Sequence, residues 1–116
     1  MEMDGSILEH VRMSVGLTED NSEFDVELLN HINMAIGKLN QNGVGETLII
    51  TDESATWQDL LGLGASERET IGMIPTFMSL NVKMLFDPPP PSSVEFHIRS
   101  LDELLWRLKL SHEKEG

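Results

Sequence analysis

The stretch KMLFDPPPPSSVEFHIRSLDELLWRL, residues 83–108, decides the fold of the last third of the chain. Each of its four prolines lacks an amide hydrogen and has a fixed φ, and proline also disfavours α geometry in the residue before it. A helix should therefore end at about Asp87. Ser92 is followed three positions later by Glu95, the spacing of a capping box, so we expect a second helix from about Ser93. The prediction is two helices joined at a stiff corner.

The helix after the corner has one apolar side and one charged side. Its apolar residues recur at intervals of four and three, which places them on a single stripe. Charged residues of alternating sign recur at i,i+4 steps, where each pair adds about 0.2–0.5 kcal/mol to an exposed helix. We expect the stripe to pack on the rest of the protein and the charged side to face solvent. The stripe is Val94, Ile98, Leu101, Leu105 and Leu108, and the charged side is Glu95, Arg99, Glu103 and Arg107.

Two helices are predicted near the start of the chain. Residues 6–17 have apolar positions at helical spacing, and Gly16 is a suitable carboxy-terminal stop. Residues 23–40 repeat apolar positions at helical intervals, and Ser22 with Asp25 gives a capping-box spacing at their start.

The helix that leads into the corner is apolar on two sides, so we expect it to be central or to meet another subunit. Pro75 leaves two alternatives. Either the helix starts near this proline after a separate helical turn, or a single helix continues through it with a kink. The two stripes are Ile74, Met78 and Leu85 on one side, and Met73, Phe77, Leu80 and Met84 on the other.

The segment between residues 43 and 69 is less regular. The sequence GVG at 43–45 predicts a turn, and the β-branched run at 47–50 predicts extended chain that either pairs with a neighbouring copy or packs as a loop. Thr51 or Asp52 could cap a turn of helix in which Trp57 anchors the core and which Gly62 and Gly64 end. A capping-box spacing at Ser66 and Glu69 suggests another helix start.

Together these patterns predict an all-α fold, a small bundle of about four helices with a short extended segment near 47–50. With 116 residues we expect one domain, 1–116, with a disordered tail at about 111–116, that buries roughly 65% of its unfolded surface. The absence of cysteine excludes disulfides and thiolate sites. No run of about 18 apolar residues occurs and the amino terminus lacks a basic leader, so we expect a soluble, unexported protein.

The charge balance is strongly acidic. Twenty acidic and eight basic residues give a formal charge of −12, and eight carboxylates precede Leu29 while Arg12 is the only cation there. Ordinary nucleic-acid binding is disfavoured, because it depends on neutralising phosphates. Two interpretations stay open: the charge serves solubility, or the surface lies near DNA without adhering to it.

Catalytic and metal-binding patterns are absent from the sequence. The four histidines share no ligand spacing, and neither HExxH, GxSxG, a phosphate loop nor a dinucleotide fingerprint occurs. We expect His31 to be a packed or interfacial histidine. The prediction is that the protein is not an enzyme and has no cofactor or metal site.

Four short motifs, in this order, resemble those of the small head-tail connector (adaptor or head-completion) proteins of long-tailed bacteriophages. They are HIN at 31–33, ATWQDLLG at 55–62, KMLFDPP at 83–89 and WRL at 106–108, and the resemblance covers about 7–110. Pro75 and the four-proline corner depart from the uninterrupted helix and shorter corner that the family suggests.

The resemblance implies a virion protein, made in the bacterial host cytoplasm, that assembles as a homo-oligomeric ring below the portal protein and above the next connector or tail protein. DNA would pass through the ring without being bound specifically, and no membrane would be involved. The protein could be a monomer in isolation if ring closure needs the portal as a template. The expected assembly residues are Trp57, Phe77, Met84, Phe86 and Trp106, and the few cations expected at interfaces include Lys38, Arg68, Lys83 and Arg99.

An alternative of a different class rests on the charge alone. A small acidic regulatory protein could bind a basic partner or mimic DNA. Capture of a polymerase, nuclease or repressor from an infected lysate would favour this alternative, and capture of portal and tail proteins would favour the connector.

Overall fold

Five α-helices form the part of the chain that the structure, a computed structural model, describes: residues 5–61 and 68–115, with side chains for 5–61 and 73–110. No strand occurs in these residues, and the predicted all-α bundle is confirmed. The helices are α1 (Ile7–Ser14), α2 (Asp25–Gln41), α3 (Trp57–Leu61), α4 (Arg68–Phe86) and α5 (Pro91–Glu115).

Helix α4 is the centre of the fold, because it packs against α1, α2 and α5. This position explains its two apolar sides. Of the two alternatives for Pro75, the structure has a single helix that contains the proline. The predicted stops at Gly62 and Gly64 and the capping box at Ser66 and Glu69 lie outside the described residues. Among the described side chains of α4, the buried ones are Ile74, Pro75, Phe77, Met78, Asn81 and Val82.

Helix α1 lies within the predicted 6–17 segment and ends three residues earlier, at Ser14. The Oγ atom of Ser6 accepts a hydrogen bond from the amide of Glu9 at 3.2 Å and caps the first turn. Beyond the last turn, Gly16 has φ 92°, a conformation that glycine adopts without steric penalty.

The start of α2 differs from its prediction. Phe24 precedes the helix and makes no side-chain cap, so the expected capping box of Ser22 and Asp25 is wrong. The reason is that the Asp25 carboxylate binds Arg12 from α1 instead.

The loop between α2 and α3 is fixed by two asparagines of α2. The Nδ2 group of Asn40 donates to the carbonyls of Val44 and Glu46 at 3.1 and 3.0 Å, around the predicted turn. The Asn33 amide forms a reciprocal pair with Ile50: Nδ2 donates to its carbonyl at 3.0 Å, and Oδ1 accepts from its amide at 2.8 Å. Within the subunit the 47–50 segment is therefore a packed loop.

The cap of α3 is closer to the helix than we predicted. The backbone amide of Thr56 donates to Asp59 Oδ2 at 2.9 Å, and the Asp59 amide donates to Thr56 Oγ1 at 3.3 Å, which is a capping box. Asp52 does not cap the helix, because its carboxylate accepts hydrogen bonds from Ser54. The hydrogen bond from the Ser54 hydroxyl, and to a smaller extent the one from the Ser54 amide, lowers the pKa of Asp52 below its ordinary 3.8.

The proline corner is confirmed, and α5 starts earlier than predicted. Pro91 occupies the first helical position, where a missing amide hydrogen is tolerated, so Ser92 lies inside the first turn and not before it. Glu95 pairs with Arg99 at 2.7 Å. The backbone stays helical to Glu115, through the 111–115 segment where we expected a disordered tail.

Candidate assembly surface

A cluster of ion pairs and hydrogen bonds in the amino-terminal part is organised around one buried arginine. Arg12 is 3% exposed, and its Nε and Nη2 atoms donate to the two Asp25 oxygens at 2.9 and 2.6 Å. Its Nη1 atom donates to the Glu19 carbonyl at 2.6 Å and to Glu53 Oε2 at 3.1 Å. The hydrogen bond to Asp25 raises the pKa of Arg12, against the opposing effect of burial. We call these four residues the Arg12 clamp.

The Arg12 clamp brings two acidic loops together. One runs from α1 to α2 and contributes Glu19, and the other precedes α3 and contributes Glu53. Because Arg12 is saturated by this clamp, it leaves the neighbouring carboxylates in solvent unneutralised. We call these exposed residues the acidic edge: Glu19, Asp20, Glu23 and Asp52.

A cavity of about 380 Å³, which we call the corner groove, lies between α2, α4, α5 and the proline corner. Several of its apolar residues are well exposed: Met34 is 56%, Leu85 42% and Ile98 45% accessible. Lys38, Asn81 and Asp102 are its polar residues. The apolar lining also includes Met84, Pro88, Pro89, Val94 and Leu101.

Asn81 is the most deeply buried polar group of the corner groove, with 3% exposure. Its Oδ1 atom accepts a hydrogen bond from Lys38 Nζ at 3.2 Å. Its Nδ2 atom has no hydrogen-bond partner among the described residues. Lysine can only donate, so the contact with Lys38 assigns Oδ1 and Nδ2 to their positions and leaves a free donor.

The outer face of α5 confirms the predicted salt bridges and adds two exposed aromatic rings. Arg99 pairs with Glu95, and Arg107 pairs with Glu103, each at 2.7 Å and well exposed. Phe96 is 69% and Trp106 61% exposed on the same helix. The outer face of α5 consists of Glu95, Phe96, Arg99, Glu103, Trp106, Arg107 and Leu110.

The structure separates the five residues that we expected at an assembly interface. Trp57 and Phe77 are each 1% exposed and belong to the core of the subunit, because they fill the space between helices. Met84 is partly buried and lines the corner groove. Phe86 is partly buried, with its ring edge-on to Phe24 at 5.4 Å. Trp106 is the member of the five that is largely accessible.

The predicted interfacial cations are also separated. Lys38 lies at the corner groove. Lys83 lines a second cavity of about 450 Å³ on the other side of the corner. Arg99 is paired on the outer face of α5, and the Arg68 side chain lies outside the described side chains.

Sequence reasoning missed the corner groove and the role of Asn81. Ile98 belongs to the predicted apolar stripe of α5, and only the packing shows that it stays half exposed. The position of Asn81 between Leu80 and Val82 was the available signal of a buried polar group.

Two histidines, His31 and His10, pack against other side chains of the subunit. His31 lies 3.6 Å from Glu27, measured from Nε2 to Oε1, and is mostly buried, which fits a packed histidine. His10 contacts the core Trp57 ring edge-on at 5.4 Å, and burial lowers the pKa of His10 below 6.5. In the two described ranges, His, Asp and Glu nowhere form a group of three that could hold a metal ion.

No helix among the residues that the structure describes combines the length and apolarity needed to cross a bilayer.

The comparisons with known proteins give one match. A family model described as phage connector protein matches residues 7–115, almost the whole chain. No curated protein and no solved structure gives a significant match. The family is one of structural phage proteins, and the match agrees with the order of motifs in the sequence. This chain therefore belongs to the phage connector protein family.

Proposed function

We propose that this protein is one subunit of a homo-oligomeric ring in the virion, located below the portal protein and above the next connector or tail protein. The observation that carries the proposal is the family match over residues 7–115. In this role the protein acts by shape and contact. It needs no cofactor and catalyses no reaction.

The acidic edge supports the passage of DNA through the ring. Tight binding of DNA depends on cations that neutralise phosphates and release counterions. Arg12, the cation nearest to these carboxylates, is buried in its clamp and is not available to phosphates. A channel lined by the acidic edge would repel DNA at every position, so the polymer could slide without finding a tight site.

The same charge restricts how subunits can associate. A formal charge of −12 on each copy disfavours contact between copies until apolar area or opposite charges compensate. We therefore expect a monomer in dilute solution, and ring closure when the portal holds several copies together in the host cytoplasm.

Purified virions provide the direct test. We expect quantitative mass spectrometry to find several copies per particle and cryo-electron microscopy of the neck to place them in a ring next to the portal. The proposal fails if mature virions contain no copies, or if the copies lie away from the head-tail junction.

The role of the acidic edge can be tested separately. The triple variant Glu19→Lys, Asp20→Lys, Glu23→Lys should assemble and slow the ejection of DNA, because the new cations hold phosphates in a salt-dependent way. The control Glu46→Lys adds a cation at an exposed site outside the acidic edge. Equal ejection rates for the triple variant and the wild type would exclude the acidic edge from the channel.

A further inference from the structure

We propose that the corner groove of one subunit receives Trp106 from the outer face of α5 of a second copy of this chain, with Glu103 of that copy next to Lys38 and Asn81. This inference rests on the proposed function, since it names the contact that repeats around the ring.

The first argument is the free donor of Asn81. A buried polar group without a partner destabilises the subunit, and such groups are usually satisfied in the native assembly. Nδ2 is itself buried, and Lys38, whose Nζ atom holds Oδ1, is the exposed polar group of the pair, so the group that completes the groove should supply an acceptor to Lys38 and, once the groove adjusts around it, to Nδ2. The occupant therefore has to bring an oxygen together with apolar surface.

The second argument is that the outer face of α5 has both features at the right spacing. Glu103 and Trp106 are three residues apart, so they lie on neighbouring positions of one helical face. The present partner of Glu103 is Arg107 in an exposed pair, with both side chains 60% accessible. Exposed pairs of this kind contribute little, so the carboxylate can exchange that partner for Lys38 and Asn81 at small loss.

Size and charge complementarity agree with this assignment. A cavity of about 150 Å³ is enough to hold a benzene ring, and the corner groove has about 380 Å³, so an indole fits. The groove carries one cation and one anion, Lys38 and Asp102, and the Glu103–Arg107 pair of the outer face offers the opposite charge to each. The contact therefore compensates charge between two acidic subunits.

The two surfaces adjoin along the same helix. Leu101 and Asp102 line the groove, and Trp106 lies about 140° from Leu101 and about 40° from Asp102 around a helix of 3.6 residues per turn. Trp106 is 61% exposed and does not line the groove of its own subunit. The contact is head-to-tail, and repetition of such a contact closes into a ring when the rotation permits.

A photo-cross-link tests the contact in assembled particles. With p-benzoylphenylalanine in place of Trp106, irradiation should join position 106 of one copy to the corner groove of another, at Met34, Leu85 or Ile98. The same reagent in place of Gln58, an exposed residue of α3, is the control and should not label the groove. A main product with the portal, with a tail protein or with another surface of this chain overturns the inference, and so does the absence of any product from particles that contain the protein.

A charge exchange tests the pairing of Lys38 with Glu103. Lys38→Glu and Glu103→Lys should each lower incorporation into particles about tenfold or more, since each places like charges together. The double variant should recover to within about threefold of the wild type, because it restores the attraction. Glu95→Lys, on the same face two turns earlier, should change incorporation less than about twofold. Failure of the double variant to recover contradicts the pairing.

Replacement of Asn81 separates docking from folding. Asn81→Leu removes the free donor, so the isolated subunit should unfold at the same temperature as the wild type or higher, while incorporation into particles falls. A purely structural Asn81 would give the opposite result, a lower unfolding temperature with normal incorporation.

The outcomes distinguish this inference from the proposed function. If virions contain no copies of the protein, both fail. If copies are present at the neck and the cross-link joins other surfaces, only the groove contact is wrong.

Discussion

The amino-terminal part of the molecule, 5–61, and its last helix are held in different ways. In the amino-terminal part, side-chain hydrogen bonds join positions far apart in sequence, such as Arg12 to Glu53 and Asn33 to Ile50. The side-chain hydrogen bonds described for α5, such as Arg99 to Glu95, stay within one turn. Helix α5 is attached to the rest of the fold chiefly by apolar packing. Directional bonds fix the first region, and non-directional packing lets α5 adjust to a partner.

The largest expected effect is in the first region. Arg12→Met should lower the free energy of unfolding by about 3 kcal/mol, because it leaves the partly buried Asp25 carboxylate and the Glu19 carbonyl without their donor. Arg107→Met, which removes an exposed pair of α5, should change it by less than about 0.5 kcal/mol. Urea denaturation of both variants measures the difference. Similar changes in the free energy of unfolding for the two variants would show that the two regions are not held in different ways.

The second prediction concerns the packing of α5. Leu108 is fully buried, and Leu108→Ala should lower the free energy of unfolding by about 2–3 kcal/mol through lost burial and the cavity it leaves. Hydrogen exchange should accelerate in α5 and stay slow in α1 and α2, since α5 can loosen while the bonds of the first region remain. Equal acceleration in all three helices would show that the two regions open together.

The third prediction tests a smaller long-range bond. Asn33→Leu leaves the amide and the carbonyl of buried Ile50 unpaired and should lower the free energy of unfolding by about 1–2 kcal/mol. Ser100→Ala removes a local bond to the Phe96 carbonyl in α5 and should change it by less than about 0.5 kcal/mol. Chemical denaturation compares the pair, and a larger loss from Ser100→Ala would reverse the comparison.

The smallest effect is a dependence on pH in the first region. Burial lowers the pKa of His10 below 6.5, so the folded protein binds this proton less readily than the unfolded chain does. The contribution of His10 to the free energy of unfolding is therefore present above pH 6.5 and falls as the pH decreases below it. His10→Gln should reduce the dependence of the free energy of unfolding on pH in this range. The other titratable groups are the same in both proteins, so they cancel when the variant profile is subtracted from that of the wild type. Parallel profiles would show that His10 titrates alike in both states.

The sequence predicts the elements well where the signal is local. The proline run, Gly16 and the stripe of α5 act through the nearest residues. The structure has the corner, the glycine beyond the end of α1 and the buried Leu101 and Leu108 where the pattern indicates, while Ile98 of the same stripe stays 45% exposed.

The predictions that are wrong depend on distant partners. Ser22 and Asp25 have the spacing of a capping box, and Asp25 turns instead to Arg12, thirteen residues earlier in the chain. Asp52 was one of two candidate caps for α3, and its bond to Ser54 leaves that role to Thr56. A separate case is Trp57 and Phe77: helical periodicity gives them apolar positions, the packing places both in the core of the subunit, and their part in assembly stays a prediction.

The opposite surroundings of the two tryptophans make the protein its own optical reporter. The chain has no tyrosine, so its near-ultraviolet emission comes almost entirely from these two indoles. Trp57, 1% exposed, should emit at short wavelength and resist quenching by acrylamide, and Trp106, 61% exposed, should emit to the red and be quenched readily. Unfolding shifts the emission of Trp57 to longer wavelength and leaves the emission of Trp106 almost unchanged. If Trp106 enters a neighbouring subunit, ring closure shifts the emission of Trp106 to shorter wavelength and leaves that of Trp57 unchanged. A single emission spectrum therefore distinguishes folding from assembly without an attached dye.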